Sequence, residues 1–166
     1  MIHEVAGDIL HSKAHAIVHG VAPYDDFHSG LALALRERWP ALYKDFRHWC
    51  RQKSPGCGEA WSWGGPQVRI VSLLTQDPAK VQGQHPGRAQ ISHVNHALRS
   101  LRHLVTTEKL ESLALPRLAT GVGGLAWEEV KPLIARHLGD LGIPIFLYER
   151  YQPGVAALEA TGHEEA

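Results

Sequence analysis

The sequence predicts a three-layer α/β/α fold around a mixed, mostly parallel sheet. Three observations lead there. Short apolar strands alternate with helical patterns along the chain. The runs at 16–18 and 113–115 read as buried strands, as in a sheet covered on both faces. Two further strands, at 59–63 and 68–74, flank a Gly-Gly-Pro turn and can pair as a hairpin. At 166 residues the chain suits one domain with a real core.

In order, residues 2–5 read as an opening strand, followed by the turn Gly7-Asp8-Ile9-Leu10. The strand at 16–18 enters a polar loop, 19–29, that holds Pro23, Asp25 and Asp26. A helix starts at Gly30. Its run of Leu31, Ala32, Leu33, Ala34 and Leu35 is apolar on all sides, so it is expected to be buried. Pro40 ends it, and a more polar helix covers 40–53, with Trp39, Tyr43, Phe46 and Trp49 near it. Gly56 and Gly58 break the chain before the hairpin, whose turn is Gly64-Gly65-Pro66. A second polar loop, 75–88, leads to an amphipathic helix over 91–106. Its apolar stripe is Ile91, Val94, Leu98, Leu101 and Val105. After the strand at 113–115 come a last helix over 128–141, stopped by Gly142, and a closing strand at 145–148. Residues 1–150 make the domain; 151–166 form a weakly patterned tail expected to fray.

Lys plus Arg and Asp plus Glu both number 17, so the formal net charge is zero. That balance argues against a bulk electrostatic nucleic-acid binder but leaves room for a local basic patch. Cys50 and Cys57 form neither a CxxC nor a ligand quartet. They read as isolated thiols in a reduced, cytoplasmic protein, with no leader and no bilayer-spanning apolar run. His93, His96 and His103 fall opposite the apolar stripe of their helix, on a solvated face, with no acid or cysteine at ligand spacing. No metal site is expected from them. His137 falls on an apolar stripe and is expected to be partly buried and hydrogen-bonded.

The chemistry centres on the stretch from Leu113 to Trp127. An apolar strand breaks at Pro116, opens into a loop with Gly121, Gly123 and Gly124, and meets a helix. A glycine-rich turn between strand and helix gathers backbone N–H groups into a nest that suits a phosphate. Thr120 adds a hydroxyl that can donate to a phosphate oxygen. The glycine pattern alone fits a ligand-free tight turn equally well.

Four segments together carry a resemblance: Gly7-Asp8-Ile9-Leu10, Ala16-Ile17-Val18-His19, Ser29-Gly30-Leu31-Ala32-Leu33-Ala34, and the stretch from Leu115 to Trp127. Their order and spacing resemble the macrodomain family of ADP-ribose-binding modules over about residues 1–150. Pro116-Arg117-Leu118 with Gly124-Leu125-Ala126-Trp127 is similar to the branch that holds terminal ADP-ribose glycohydrolases and DNA-linked ADP-ribose hydrolases. The resemblance implies that Asp8 accepts from the adenine amino group and that the Ile9 N–H reaches the ring. It puts Ser29, Gly30 and Leu31 against the diphosphate. Thr120, Gly121, Val122, Gly123 and Gly124 clamp the diphosphate and second ribose from the other side. A glutamate at Gly123 is then expected to block the diphosphate without unfolding the domain. By itself, Asp8 reads as a turn or cap acid and Gly30 as a plain helix start. The partners implied are ADP-ribose and ADP-ribosylated protein or nucleic acid. No cofactor, metal or membrane is implied.

The chain departs from the family where catalysis is concerned. The branch hydrolases use a lysine where this chain has Gln76 and an acid where it has Gly123. Another hydrolytic branch carries an Asn-Ala-Ala-Asn segment where this chain reads His19-Gly20-Val21-Ala22, and an acid at Ala32. Both sets are missing, which favours binding over cutting. Glutamine can hold a water but cannot take its proton. Asp25, Asp26 and His28 lie nearest the expected second ribose and are the candidates for catalysis; solvated loop polars are the competing reading. The expected function is ADP-ribose binding, with a mono-ADP-ribosyl hydrolase of atypical catalytic set as the alternative.

Overall fold

The structure, a computed structural model, describes residues 1–81 and 84–159. Its elements run β1 (Ile2–Gly7), a single 3-10 turn (Ile9–His11), β2 (Ala16–Val21), α1 (Gly30–Arg38), α2 (Pro40–Lys53), β3 (Ala60–Gly65), β4 (Val68–Leu74), α3 (Ile91–Thr107), β5 (Leu113–Leu115), α4 (Trp127–Leu138) and β6 (Ile145–Tyr151). The sheet order is β1-β6-β5-β2-β4-β3. Every neighbouring pair is parallel except the β3–β4 hairpin. The mixed, mostly parallel sheet is as the sequence predicts.

Side-chain alternation builds the three layers. Ala16, Val18, Leu113, Leu115, Ile145 and Leu147 face α3 and α4, whose stripes are Val94, Leu98, Leu101 and Val130, Ile134, Leu138. Their neighbours Ile17, Ala114, Phe146 and Tyr148 face the opposite way, onto Leu35, Leu42, Phe46 and Cys50 of α1 and α2. Because successive strand residues point to opposite faces, a strand apolar at every position needs a helix layer on each side. Each fully buried Leu or Phe in these cores contributes about 1.5–3 kcal/mol over leaving it in water.

Several details differ from the sequence reading. In α1 only Leu35 is buried; the other apolar residues are half-exposed. The helix has nine residues, and α2 supplies most of the cover on that face through Leu42, Phe46 and Cys50, four residues apart. Pro40 sits in the first turn of α2, where its missing N–H costs nothing, and α1 stops at Arg38. The hairpin turn shifts to Pro66-Gln67, with Gln67 at φ 61°, so Gly64 and Gly65 belong to β3. Helix α4 ends at Leu138, capped by Gly139; Gly142, at φ 74°, turns the chain toward β6. β6 continues to Tyr151 because β1 offers it partners as far as Gly7.

The tail also departs from expectation over its described part. Residues 152–159 fold back onto the end of β1. The Asp8 N–H donates to the Val155 carbonyl at 2.7 Å. Glu159 accepts from the Ser12 hydroxyl at 2.6 Å, the Lys13 N–H at 2.8 Å and the Tyr148 hydroxyl at 2.6 Å. A Cβ at Gly7 would lie 2.8 Å from the Val155 carbonyl oxygen, so the glycine makes this close approach possible. The remaining tail, 160–166, lies outside the described residues. No helix among the described residues is long and apolar enough to cross a membrane.

Candidate functional site

A cleft of about 200 Å³ opens at the carboxyl ends of β2, β4 and β5, where open α/β sheets hold ligands. One wall is the first polar loop and the start of α1. The facing wall is the glycine loop, from Pro116 to Gly123. His19, Gly20 and Val21 line its floor, and Gln76, His85 and Pro86 its back.

Buried polar contacts and backbone strain hold the first wall. Asp25 clamps its own loop: its carboxylate accepts from the Ala22 N–H at 3.0 Å and the Phe27 N–H at 2.9 Å. Burial pushes its carboxyl above the usual value. Tyr24 and Phe27 both take positive φ, 59° and 56°, which is uncommon for bulky residues. The fully buried Phe27 ring anchors the loop against Phe46 at 4.9 Å and meets His19 edge-on at 5.4 Å. Asp26 pairs with His28 at 3.4 Å. Gly30 opens α1 at φ 58°, and the Ser29 side chain makes no capping bond. Gly30, Leu31 and Ala32 of the first turn line the cleft, and first-turn N–H groups have no intrahelical acceptor, so the cleft lies at the positive end of α1.

The second wall is tightly folded on itself. The Leu125 N–H donates to the Ala119 carbonyl at 2.9 Å, and the Gly124 N–H to Gly121 at 3.1 Å. Ala119 takes φ 63°. A Cβ at Gly123 would lie 2.6 Å from the Ala119 carbonyl oxygen and 2.8 Å from the Ala89 Cβ. That corrects the expectation that a side chain at Gly123 would enter the site and leave the fold alone; it would break the loop instead. At Gly121 the same construction meets nothing within 4 Å. The Thr120 hydroxyl donates to the Arg117 carbonyl at 2.9 Å, so it serves the loop itself. Arg117, the one Lys or Arg of the lining among the described residues, pairs with Glu149 at 3.4 Å and lies over the Trp127 ring. Trp127 donates to the same Glu149 at 3.0 Å, bracing the loop from below.

The structure therefore brings Asp25, Asp26, His28, Ser29, Gly30, Leu31, Gly121, Val122 and Gly123 to one cleft. Thr120 and Gly124 belong to the same loop but do not line it. Asp8 and Ile9 lie farther along the sheet edge, at the end of β1, two strands from β5 and three from β2. At about 4.8 Å per strand that is roughly 10–14 Å. There Asp8 acts as a cap: one oxygen accepts from the Leu10 N–H at 3.0 Å, the other from the Gly154 N–H at 3.0 Å.

Two features, one in the cleft and one behind it, escaped the sequence reading. His19 is buried in the floor, with Nε2 2.6 Å from the Ser72 hydroxyl and no partner for Nδ1 among the described residues. Burial depresses its pKa to about 3, so the ring is neutral. The available signal was a polar side chain after the apolar Ala16, Ile17 and Val18. The second feature corrects the solvated-face expectation for His93 alone, since His96 and His103 are exposed as expected. His93 is half-buried, its Nε2 lies 2.9 Å from Asp77 Oδ1, and Cys57 is beside the pair. His137 is half-buried and bonded to Asn95 at 2.6 Å, as expected. The two thiols are free. Gln76 is buried, and its amide donates to the Gly87 carbonyl at 3.1 Å.

Two loops face each other across the carboxyl edge of a mostly parallel sheet, the place where open α/β folds hold ligands. The family is established by comparison: the chain belongs to the Macro domain family, which it matches over residues 14–134. It is 27% identical over 150 residues to a DNA ADP-ribosyl glycohydrolase of Thermus aquaticus, covering 90% of this chain and 41% of that protein. The macrodomain of Thermus aquaticus DarG has a similar structure, with a TM-score of 0.77 at 26% identity, covering 90% of this chain and 98% of that one. The Thermosipho africanus DarTG structure in complex with ADP-ribose matches in fold, with a TM-score of 0.76 at 22% identity, over 93% of this chain and 42% of that one. The chain thus spans about two fifths of the length of the curated relative, and its likeness to the glycohydrolase branch stands with these matches.

Proposed function

We propose that this domain binds ADP-ribose, free or attached to a macromolecule, in the cleft between the start of α1 and the glycine loop. The observation that carries the reading is one cleft held between the start of α1 and the glycine loop, in which the single Lys or Arg among the described lining residues, Arg117, is paired with Glu149. Backbone N–H groups and a helix end supply what a diphosphate needs without lysine. Asp8 and Ile9 lie on the same sheet edge at a span that suits an extended dinucleotide-sized ligand, with adenine at the β1 end and the second ribose near Asp26 and His28. The two free thiols fit a reduced cytoplasmic setting.

Hydrolysis is the second reading, favoured by the Thermus aquaticus relative named as a DNA ADP-ribosyl glycohydrolase. The side chains available are limited. Gln76 cannot take a proton from water, and Asp25 already accepts two backbone N–H groups. Asp26, paired with His28 in the cleft, and the neutral imidazole of His19 remain to position a water. Calorimetric titration with ADP-ribose tests the first reading, and release of ADP-ribose from protein-linked and DNA-linked substrates tests the second. Micromolar binding without release supports a reader. Turnover lost in Asp26→Ala supports a hydrolase.

A further inference from the structure

We propose that Cys57, Asp77 and His93 form a binding site for one Zn²⁺ ion, outside the nucleotide cleft and behind its Gln76 wall. The three residues come from different parts of the fold: the bend between α2 and β3, the exit of β4, and the first turn of α3. One ligand atom from each, the thiol sulfur, a carboxylate oxygen and an imidazole nitrogen, lies within 4.8 Å of the other two. Ligands around a tetrahedral zinc, bound at about 2.0–2.3 Å, sit roughly 3.2–3.8 Å apart. Small side-chain rotations close that difference. Thiolate, imidazole and carboxylate together suit zinc, whereas magnesium and calcium take all-oxygen sets.

The surroundings hold the three donors in place. The second Asp77 oxygen accepts from the Gln90 amide at 2.6 Å, the kind of outer contact that orients a ligating carboxylate. The Asp77 backbone is fixed on both sides: its N–H donates to the Arg88 carbonyl at 2.9 Å, and its carbonyl accepts from the Gly87 N–H at 2.8 Å. The turn carrying Cys57 is pressed onto α3. A Cβ at Gly58 would lie 2.8 Å from the His96 Cβ, and the Ser100 hydroxyl donates to the Gly58 carbonyl at 2.8 Å. The Asp77 and His93 side chains are 42% and 22% exposed, so a fourth ligand can come from solvent.

The Cys57 thiol now donates to the Gln76 carbonyl at 3.3 Å, which places the cluster directly behind a cleft residue. An ion here would tie the turn before β3, the exit of β4 and the start of α3 at one point. It would thereby fix the base of the loop that carries His85 and Pro86 into the cleft. The inference does not depend on what the cleft binds.

Cobalt titration of the untagged chain tests it, because a Co²⁺–thiolate bond gives a near-ultraviolet charge-transfer band that histidine-only binding lacks. Wild type is expected to take up one equivalent with that band, and one equivalent of Zn²⁺ should displace it. Cys57→Ser should lose the band, His93→Gln should bind at least tenfold more weakly, and Cys50→Ser should behave as wild type. At a hundredfold excess over Kd, Zn²⁺ should raise the wild-type Tm by roughly 5–10 °C. Absence of the band in wild type, or its survival in Cys57→Ser, overturns the proposal. Uptake without the band means surface histidines only, which also overturns it. Should Cys57→Ser fail to fold by circular dichroism, the wild-type and His93→Gln titrations decide.

Discussion

Replacing Gly121 and Gly123 separately divides what the glycine loop does for its ligand from what it does for itself. Gly121 lines the cleft, has a φ outside the left-handed region, and would place a Cβ in open space. Gly121→Glu should therefore fold and put a carboxylate beside the diphosphate. Two like charges about 5 Å apart, at an effective dielectric between roughly 20 and 80, repel by about 1–3 kcal/mol. That is roughly a 5- to 150-fold rise in Kd. Gly121→Gln brings similar bulk without charge, so it should weaken binding less. Gly123 behaves differently. Its added Cβ would sit 2.6 Å from a backbone oxygen that cannot swing away. Even Gly123→Ala should cost about 1–3 kcal/mol through overpacking, a fall in Tm of roughly 2–10 °C. Calorimetry with ADP-ribose and thermal melts on the four chains supply both readouts. Wild-type affinity in Gly121→Glu would refute the placement of the diphosphate. An unchanged melt in Gly123→Ala would refute the loop packing.

Three further outcomes are expected. Asp8→Ala removes an acceptor for the Leu10 and Gly154 N–H groups. It should lower stability by about 0.5–2 kcal/mol in denaturant melts and weaken ADP-ribose by about 1–3 kcal/mol; an unchanged affinity would remove the adenine contact. His19 sets a pH dependence. Its folded value of about 3 lies below its ordinary 6.5, so as pH falls the unfolded chain takes up a proton that the folded one refuses. Its contribution is fully present above pH 6.5 and is lost between 6.5 and 3, at up to about 1.4 kcal/mol per pH unit. His19→Gln should flatten that slope in urea titrations at successive pH values, and an equal slope would contradict a neutral buried ring. Leu98→Ala, in the middle of the α3 stripe and fully buried, should cost about 2–5 kcal/mol by denaturant melt. A cost below 1 kcal/mol would mean the α3 layer is loosely packed.

The sheet was legible because its strands and stripes repeat locally. Val68–Leu74 and Leu113–Leu115 stand in the structure where their apolar runs put them, and Pro40 marks the start of α2 as a proline at a first turn does. Both cleft walls were legible for the same reason, since glycines next to strand ends can be seen in one segment. Long-range features were not. Cys57, Asp77 and His93 meet only because β4 returns beside the α2–β3 turn. The tail reaches Asp8 only because β6 lies next to β1. The limited burial of α1 depends on how much of that face α2 covers, which no periodicity in α1 records. The restriction at Gly123 likewise comes in part from Ala89, on a distant loop, beside the Ala119 carbonyl of its own loop.

In the proposed binding mode, backbone amides on two opposed turns, and not cationic side chains, hold a pyrophosphate at the carboxyl edge of this sheet. Calorimetric titration of the wild-type domain with ADP-ribose, set beside adenosine, tests it most directly. One site with a micromolar Kd, about −8 kcal/mol, and far weaker binding of adenosine are expected. Equal affinity for the two ligands, or no heat with ADP-ribose, would contradict it.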